Sequence, residues 1–182
     1  MNTFVKIPGW LKVIILLIPI FIVGYLLYAN FIQNQEFNYF YDIGSPEDSL
    51  KPYLAPLNRT SEIINNYRNI NHRLVYFNIP YTKGSENMLV TVKFLTDLNN
   101  SFSLGIKNNI GWNYTWTNFD NYLPQEDDWV IAERLFSLSG SYPEKNKLSL
   151  SFDIIELSKN PENSTFFIDW INITVYKPGV FS

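Results

Sequence analysis

Residues 88–95 read MLVTVKFL, and the alternation in this stretch decides the fold. Met88, Val90, Val92 and Phe94 fall on one side of an extended chain, and Leu89, Thr91, Lys93 and Leu95 fall on the other. Successive side chains of a strand point to opposite faces, so one set packs inward and the other turns away. The same period of two recurs outward along the chain. Phe102, Leu104 and Ile106 alternate with Ser101, Ser103, Gly105 and Lys107. Leu148, Leu150, Phe152 and Ile154 alternate with Lys147, Ser149, Ser151 and Asp153. The runs 74–79, 112–119, 129–138 and 166–176 add β-branched and aromatic residues. Turn-forming clusters at 80–84, 97–100, 108–111, 140–143 and 159–163 separate them. Strands so spaced, with little helix between, predict a mainly β fold: an antiparallel β-sandwich of jelly-roll-like form.

Towards the amino terminus the pattern changes. Residues 13–32, VIILLIPIFIVGYLLYANFI, carry no charge. At about 1.5 Å per residue they make a helix about 30 Å long, the thickness of a bilayer's hydrocarbon core. No polar stripe of period 3.6 is visible, as a soluble core helix would require. This predicts one transmembrane helix in the lipid bilayer, a single-pass signal anchor. Lys6 and Lys12 precede it, which keeps residues 1–12 in the cytoplasm and places the C-terminal domain outside. Trp10, Tyr25 and Tyr28 sit where headgroups favour amphipathic rings. The competing reading is a cleaved signal peptide. Its apolar region would be about 7–15 residues with an A-x-A-like site, and Tyr28-Ala29-Asn30 is a poor one. Residues 33–56 are predicted as a stalk or linker, of which 33–41 can also be read as a first strand. Residues 57–182 form the predicted extracytoplasmic sandwich. Ser45-Pro46-Glu47-Asp48 has the composition of a helical turn, and a short helix is expected around 60–64.

The 182 residues carry a net charge of −3, and all 17 acids follow the span while two of the 14 bases precede it. Such a domain offers no basic face for nucleic acid. Cysteine is absent, which excludes disulfides, thiol chemistry and cysteine-bound zinc. His72 is the one histidine and lies in the polar turn 69–73. No G-x-S-x-G and no phosphate-cradling glycine loop occurs, so no catalytic residue is assigned and no enzyme is expected. The alternative is a glycan hydrolase built on a carboxylate pair drawn from Glu133, Asp153, Glu156 and Asp169, with nothing in the spacing to choose a pair. Asn58, Asn99, Asn113, Asn163 and Asn172 each begin an N-x-S/T sequon, which in an exported chain marks glycosylation acceptors and a glycoprotein.

The order of strands and the closing FFIDWINITVY at 166–176 resemble the jelly-roll sandwiches of carbohydrate-binding modules and galactose-binding-like domains. The run 129–138 followed by 147–155 resembles their penultimate hairpin. LNRTS at 57–61, RLVYFNIP at 73–80 and SLGIK at 103–107 are similar to ectodomains of uncharacterised single-span surface proteins of bacteria and archaea. The likeness covers residues 57–178. It implies a binding or structural module at the cell envelope whose partner is an extracellular glycan or an envelope protein. It also implies that Asp169, in the closing strand, helps to hold a structural calcium. The alternative is a subunit of a larger assembly, a homo-oligomer, filament, layer or membrane complex, joined through the anchor or an unpaired sheet edge.

Two sets of residues stand out as candidate sites. Trp112, Tyr114 and Trp116 are spaced by two, so a strand puts all three on one face, either as a stacking platform for sugar rings or as core. The polar Asn113 and Thr115 opposite them favour core. Asp169 shares the alternation of Phe167, Ile171, Ile173 and Val175, the inward face if Asn172 meets water. A buried carboxylate requires a hydrogen-bond, ion or metal partner, and calcium is the natural metal. Glu126, Asp127 and Asp128 read as a solvated loop rather than as calcium ligands.

Overall fold

The structure is a computed structural model that describes residues 8–29, 34–43, 54, 60–64, 67–97, 102–108, 113–155, 157 and 165–179. The chain divides into two compact units, residues 1–35 with 178–182, and residues 36–177. In the first unit, helix α1 spans Gly9–Leu27. Its apolar side chains surround the axis and none is buried, so it lacks the single packed stripe of a soluble helix. It is long and apolar enough to cross a membrane.

Among its described residues the second unit is mainly strand. Its elements are β1 (Gln35–Asp42), β2 (Thr60–Ile64), β3 (Tyr67–Ile70), β4 (Leu74–Pro80), β5 (Asn87–Thr96), β6 (Ser103–Lys107), β7 (Tyr114–Asn118), β8 (Asn121–Pro124), β9 (Val130–Ser137), β10 (Lys147–Asp153) and β11 (Phe166–Lys177). Among the described residues they make two antiparallel sheets. One has seven strands, in the order β2-β3-β11-β5-β9-β8, with β1 also paired to β11; the other has four, in the order β4-β10-β6-β7. The predicted mainly β antiparallel sandwich is the fold observed.

The period-two sets meet between the sheets. Met88, Val90, Val92 and Phe94 of β5, and Ile171, Ile173 and Val175 of β11, are buried against Leu104 and Ile106 of β6, Leu148, Leu150 and Phe152 of β10, and Val75, Phe77 and Ile79 of β4. Phe102, just before β6, joins the two layers. Its ring lies 5.0 Å from Phe94, 5.3 Å from Phe166 and 5.7 Å from Phe152, each edge-on. Such pairs contribute about 0.5–1.5 kcal/mol each beyond area burial.

Four expectations change. Residues 35–42, read either as stalk or as a first strand, form strand β1 and pair with β11, so the strand unit takes in residues 36–177 and not only those from 57. Residues 60–64 are strand β2, not helix: tertiary pairing with β3 overrides weak local preference. The short strands β3 and β8 had no visible alternation, and β8 ends on Pro124, as suits a sheet edge. The fourth change is a bulge in β11. Ile168 faces Phe94 and Trp170 faces Lys93, which leaves Asp169 as the extra residue with no partner on β5. The bulge shifts the phase, so burial passes from Phe166 and Ile168 to Ile171, Ile173 and Val175. Asp169 therefore does not share the inward face of Ile171. The helical turn expected at 45–48 lies outside the described residues.

Candidate functional site

The outer face of the four-stranded sheet is made by the residues that alternate with its core. On the two central strands these are mostly small: Ser103 and Gly105 on β6, Ser149 and Ser151 on β10. The flanking strands supply rings, Tyr76 from β4 and Tyr114 and Trp116 from β7. Pairing aligns Tyr76, Ser151, Gly105 and Trp116 in one row across the sheet. With strands about 4.8 Å apart, β4 and β7 are separated by about 14 Å. The ring centroids of Tyr76 and Tyr114 are nevertheless 6.1 Å apart, and those of Tyr114 and Trp116 are 5.6 Å apart. The rings lean inward over the small residues between them.

Gly105 sets the height of this layer. A Cβ there would come within 2.7 Å of the Trp116 ring carbons, so only glycine lets the indole lie flat on the β6 backbone. Glycine weakens a strand interior, and an aromatic laid across it restores cover. The other face of the indole is open: Trp116 is 41% exposed. Tyr114 is held more deeply. Its hydroxyl is enclosed beside Ser149 without a partner of good hydrogen-bond geometry, and burial pushes its pKa up. The Ser149 hydroxyl itself donates to Asn78 Oδ1 at 2.8 Å.

Charged pairs bound the face at both ends. At one end Arg73 grips Asp153 with two hydrogen bonds, Nε to Oδ1 at 2.6 Å and Nη2 to Oδ2 at 2.8 Å. That bidentate bond raises the Arg73 pKa further. At the other end Lys107, registered opposite Tyr114, bonds Glu144 at 2.7 Å. There a cleft of about 260 Å³ opens between Asn78, Ser149, Lys107, Glu144, Lys145 and Lys147.

Tyr114 and Trp116 thus lie together on an outer face, and the inference that they are core is corrected. The reason is the position of β7 at the sheet edge. Thr115 and Thr117, on its other side, border a second cleft of about 160 Å³ with Ser137, Ser139 and Ser141. Both sides of β7 therefore meet water, and the polar residues do not reveal which way the rings point. Trp112 lies outside the described residues. Tyr76 and Gly105 were not anticipated. The signal for them was present: a glycine inside the alternation of 102–107, and an aromatic on the outward set of 74–79.

Asp169 bonds Lys93 Nζ at 2.8 Å. Among the described residues no group of three His, Cys, Asp or Glu side chains gathers as a metal site, around Asp169 or elsewhere. An ammonium already occupies the ground that a divalent cation would need, so these residues do not fit the expected calcium. Glu126–Asp128 form an exposed 3-10 turn, with Asp127 and Asp128 at positive φ. Glu133 accepts the Thr91 hydroxyl at 3.3 Å on the outer side of the seven-stranded sheet, opposite the sheet that carries Asp153. Glu156 lies outside the described residues. His72 is exposed, and its Nδ1 accepts the Leu74 N–H at 3.3 Å. Of the sequons, Asn113 is exposed just ahead of β7 and Asn172 is half-buried on β11. Asn58, Asn99 and Asn163 lie outside the described residues.

No family model matches the chain, and no curated protein matches it. Solved structures similar to it include carbohydrate-binding modules. A point mutant of a family 29 carbohydrate-binding module gives a TM-score of 0.43 at 10% identity, covering 81% of this chain and 95% of that one. The C-terminal CBM6 of LamC, a marine laminarinase from Zobellia galactanivorans, gives 0.38 at 13% identity, covering 76% and 99%. A GH115 4-O-methyl-alpha-glucuronidase, BtGH115A, with specificity for decorated arabinogalactans, gives 0.40 at 9% identity; the match covers 71% of this chain and 18% of that one. At these scores the reading of the site rests on its own residues.

Proposed function

We propose that this protein is a membrane-anchored, extracytoplasmic β-sandwich module that binds a glycan chain on the outer face of its four-stranded sheet. One observation carries the reading. The Trp116 indole is laid flat on Gly105, open on its far side, and continuous with the rings of Tyr114 and Tyr76. The apolar C–H face of a sugar packs on such a ring, and a ring already fixed by its neighbours loses little freedom on binding. Asn78, Ser149 and Lys107 border the rings with groups that can bond hydroxyls. The uncharged run 13–32 and the lysines ahead of it support an anchor with the sandwich outside the cell. Some sequons are then available as glycan acceptors.

The test is affinity electrophoresis of the full chain in detergent through gels containing different polysaccharides. At least one polysaccharide should retard it, and Trp116→Ala should weaken that binding about tenfold or more while leaving the fold intact. Retention undiminished in Trp116→Ala, or no retention by any polysaccharide, would remove the proposal. Protease added outside intact cells should reach the sandwich; protection there would overturn the topology.

A further inference from the structure

The cleft at the Lys107 end of the aromatic face runs against the charge of the chain. The protein is net acidic, at −3, yet this cleft gathers Lys107, Lys145 and Lys147 around a single acid, Glu144. That acid is taken by Lys107 at 2.7 Å, and the Lys107 side chain is only 12% exposed. Lys145 and Lys147 make no ion pair among the described residues. Among the described residues, then, neither of these two exposed lysines has an acid partner.

The backbone supplies a second, independent observation. Glu144 and Lys147 exchange both backbone hydrogen bonds, at 2.8 and 2.9 Å, around a two-residue turn. Both central residues have positive φ, 49° at Lys145 and 59° at Asn146, the turn type that favours Asn and Gly. Asparagine suits such a conformation, but a long unbranched cation gains nothing from it and is strained by about 1–2 kcal/mol. Strain held at a cleft is a pointer to use. Glycine at 145 would relieve the backbone, yet the position is a lysine, and it lines the cleft. The turn is also fixed from outside, because the Tyr81 N–H donates to the Asn146 carbonyl at 2.9 Å.

From the strained Lys145, the exposed Lys147 that lines the same cleft, and the adjoining rings, we infer that the glycan held on this face is anionic, with an acid group seated in the Lys107–Lys145–Lys147 cleft. This rests on the glycan-binding reading and names the ligand class. The acid is a carboxylate or a sulfate carried on a sugar, since either suits an ammonium cleft. The ring faces take the apolar side of the chain, and the cleft, which begins two register positions from Trp116 at Lys107, takes its charge.

The experiment compares the full chain in detergent against alginate, which carries carboxylates, a sulfated carrageenan, and the carboxyl-reduced or desulfated form of each. One acidic polymer should bind about tenfold or more tightly than its neutral form, and this preference should shrink as salt rises. The arm that binds names the acid group. Lys145→Gly, which keeps the turn and relieves its φ, should cost about three- to tenfold in acidic-polymer affinity and leave the melting temperature equal or higher. Lys147→Gln should act in the same direction. Acidic and neutral forms binding equally, or both lysine variants binding the acidic polymer as the parent does, would overturn this inference and leave glycan binding standing. Failure of every polymer, acidic and neutral, would overturn both.

Discussion

The two outer faces of the sandwich carry similar residues and support their rings differently. On the seven-stranded sheet, Lys93 bonds Asp169 at 2.8 Å and covers the Trp129 ring at 5.0 Å from its centroid. Thr91 bonds Glu133, Thr174 bonds Asn38, and Trp170 meets Phe40 at 5.8 Å. The charges there are paired, and the rings lie on other side chains, although Phe40 keeps 62% of its surface exposed. On the four-stranded sheet, three rings spread over glycine and serine, and Trp116 leaves one side open. An exposed aromatic is therefore not a site by itself. What lies beneath it, and how its neighbours hold it, separates an ordinary surface ring from one prepared for a ligand.

This contrast can be broken at several points. The largest effect is expected at the shared support of both faces. Phe102→Ala removes the ring between the sheets and should cost about 3–5 kcal/mol in chemical denaturation, with loss of glycan binding as the fold fails. Gly105→Ala acts on one face only. Its methyl would meet the Trp116 ring at 2.7 Å and tilt it, so affinity should fall about tenfold, with a stability loss of about 1–2 kcal/mol. Binding unchanged in this variant would show that the flat indole is not the platform.

A third expectation concerns pH. Burial raises the pKa of Tyr114 on the four-stranded sheet, of Tyr122 on β8 and of Tyr41 on β1. Above the usual tyrosine value of about 10, the unfolded chain gives up protons that the folded chain keeps. The contribution is therefore fully present below pH 10 and is lost as pH rises beyond it. Tyr114→Phe should flatten part of that loss in denaturant midpoints measured from pH 9 to 11. The smallest effect is expected at Lys93→Ala. It breaks an ion pair whose side chains are 29% and 25% exposed, so solvent screening holds the cost below about 1 kcal/mol. Glycan affinity should not change, unlike in Lys145→Gly; a loss of binding in Lys93→Ala would move the ligand to the other face.

Much of this architecture is legible in the chain alone. The alternation in 88–95, 102–107 and 147–154 determines strands with one buried side, because a period of two leaves no other way to gather Val90, Leu104 and Phe152 into a core. The uncharged length of 13–32 determines a helix fit to span a bilayer. Alternation also requires Tyr114 and Trp116 to share a face, but it does not say which. At an edge strand both faces reach water, and only the packing of β7 against β6 places the indole on Gly105 and the threonines over a polar cleft. The bulge that takes Asp169 out of the inward row, and the approach of Tyr76 to Tyr114 over two intervening strands, are likewise tertiary. They depend on which strands pair and in what register, which is fixed by contacts between residues far apart in the chain.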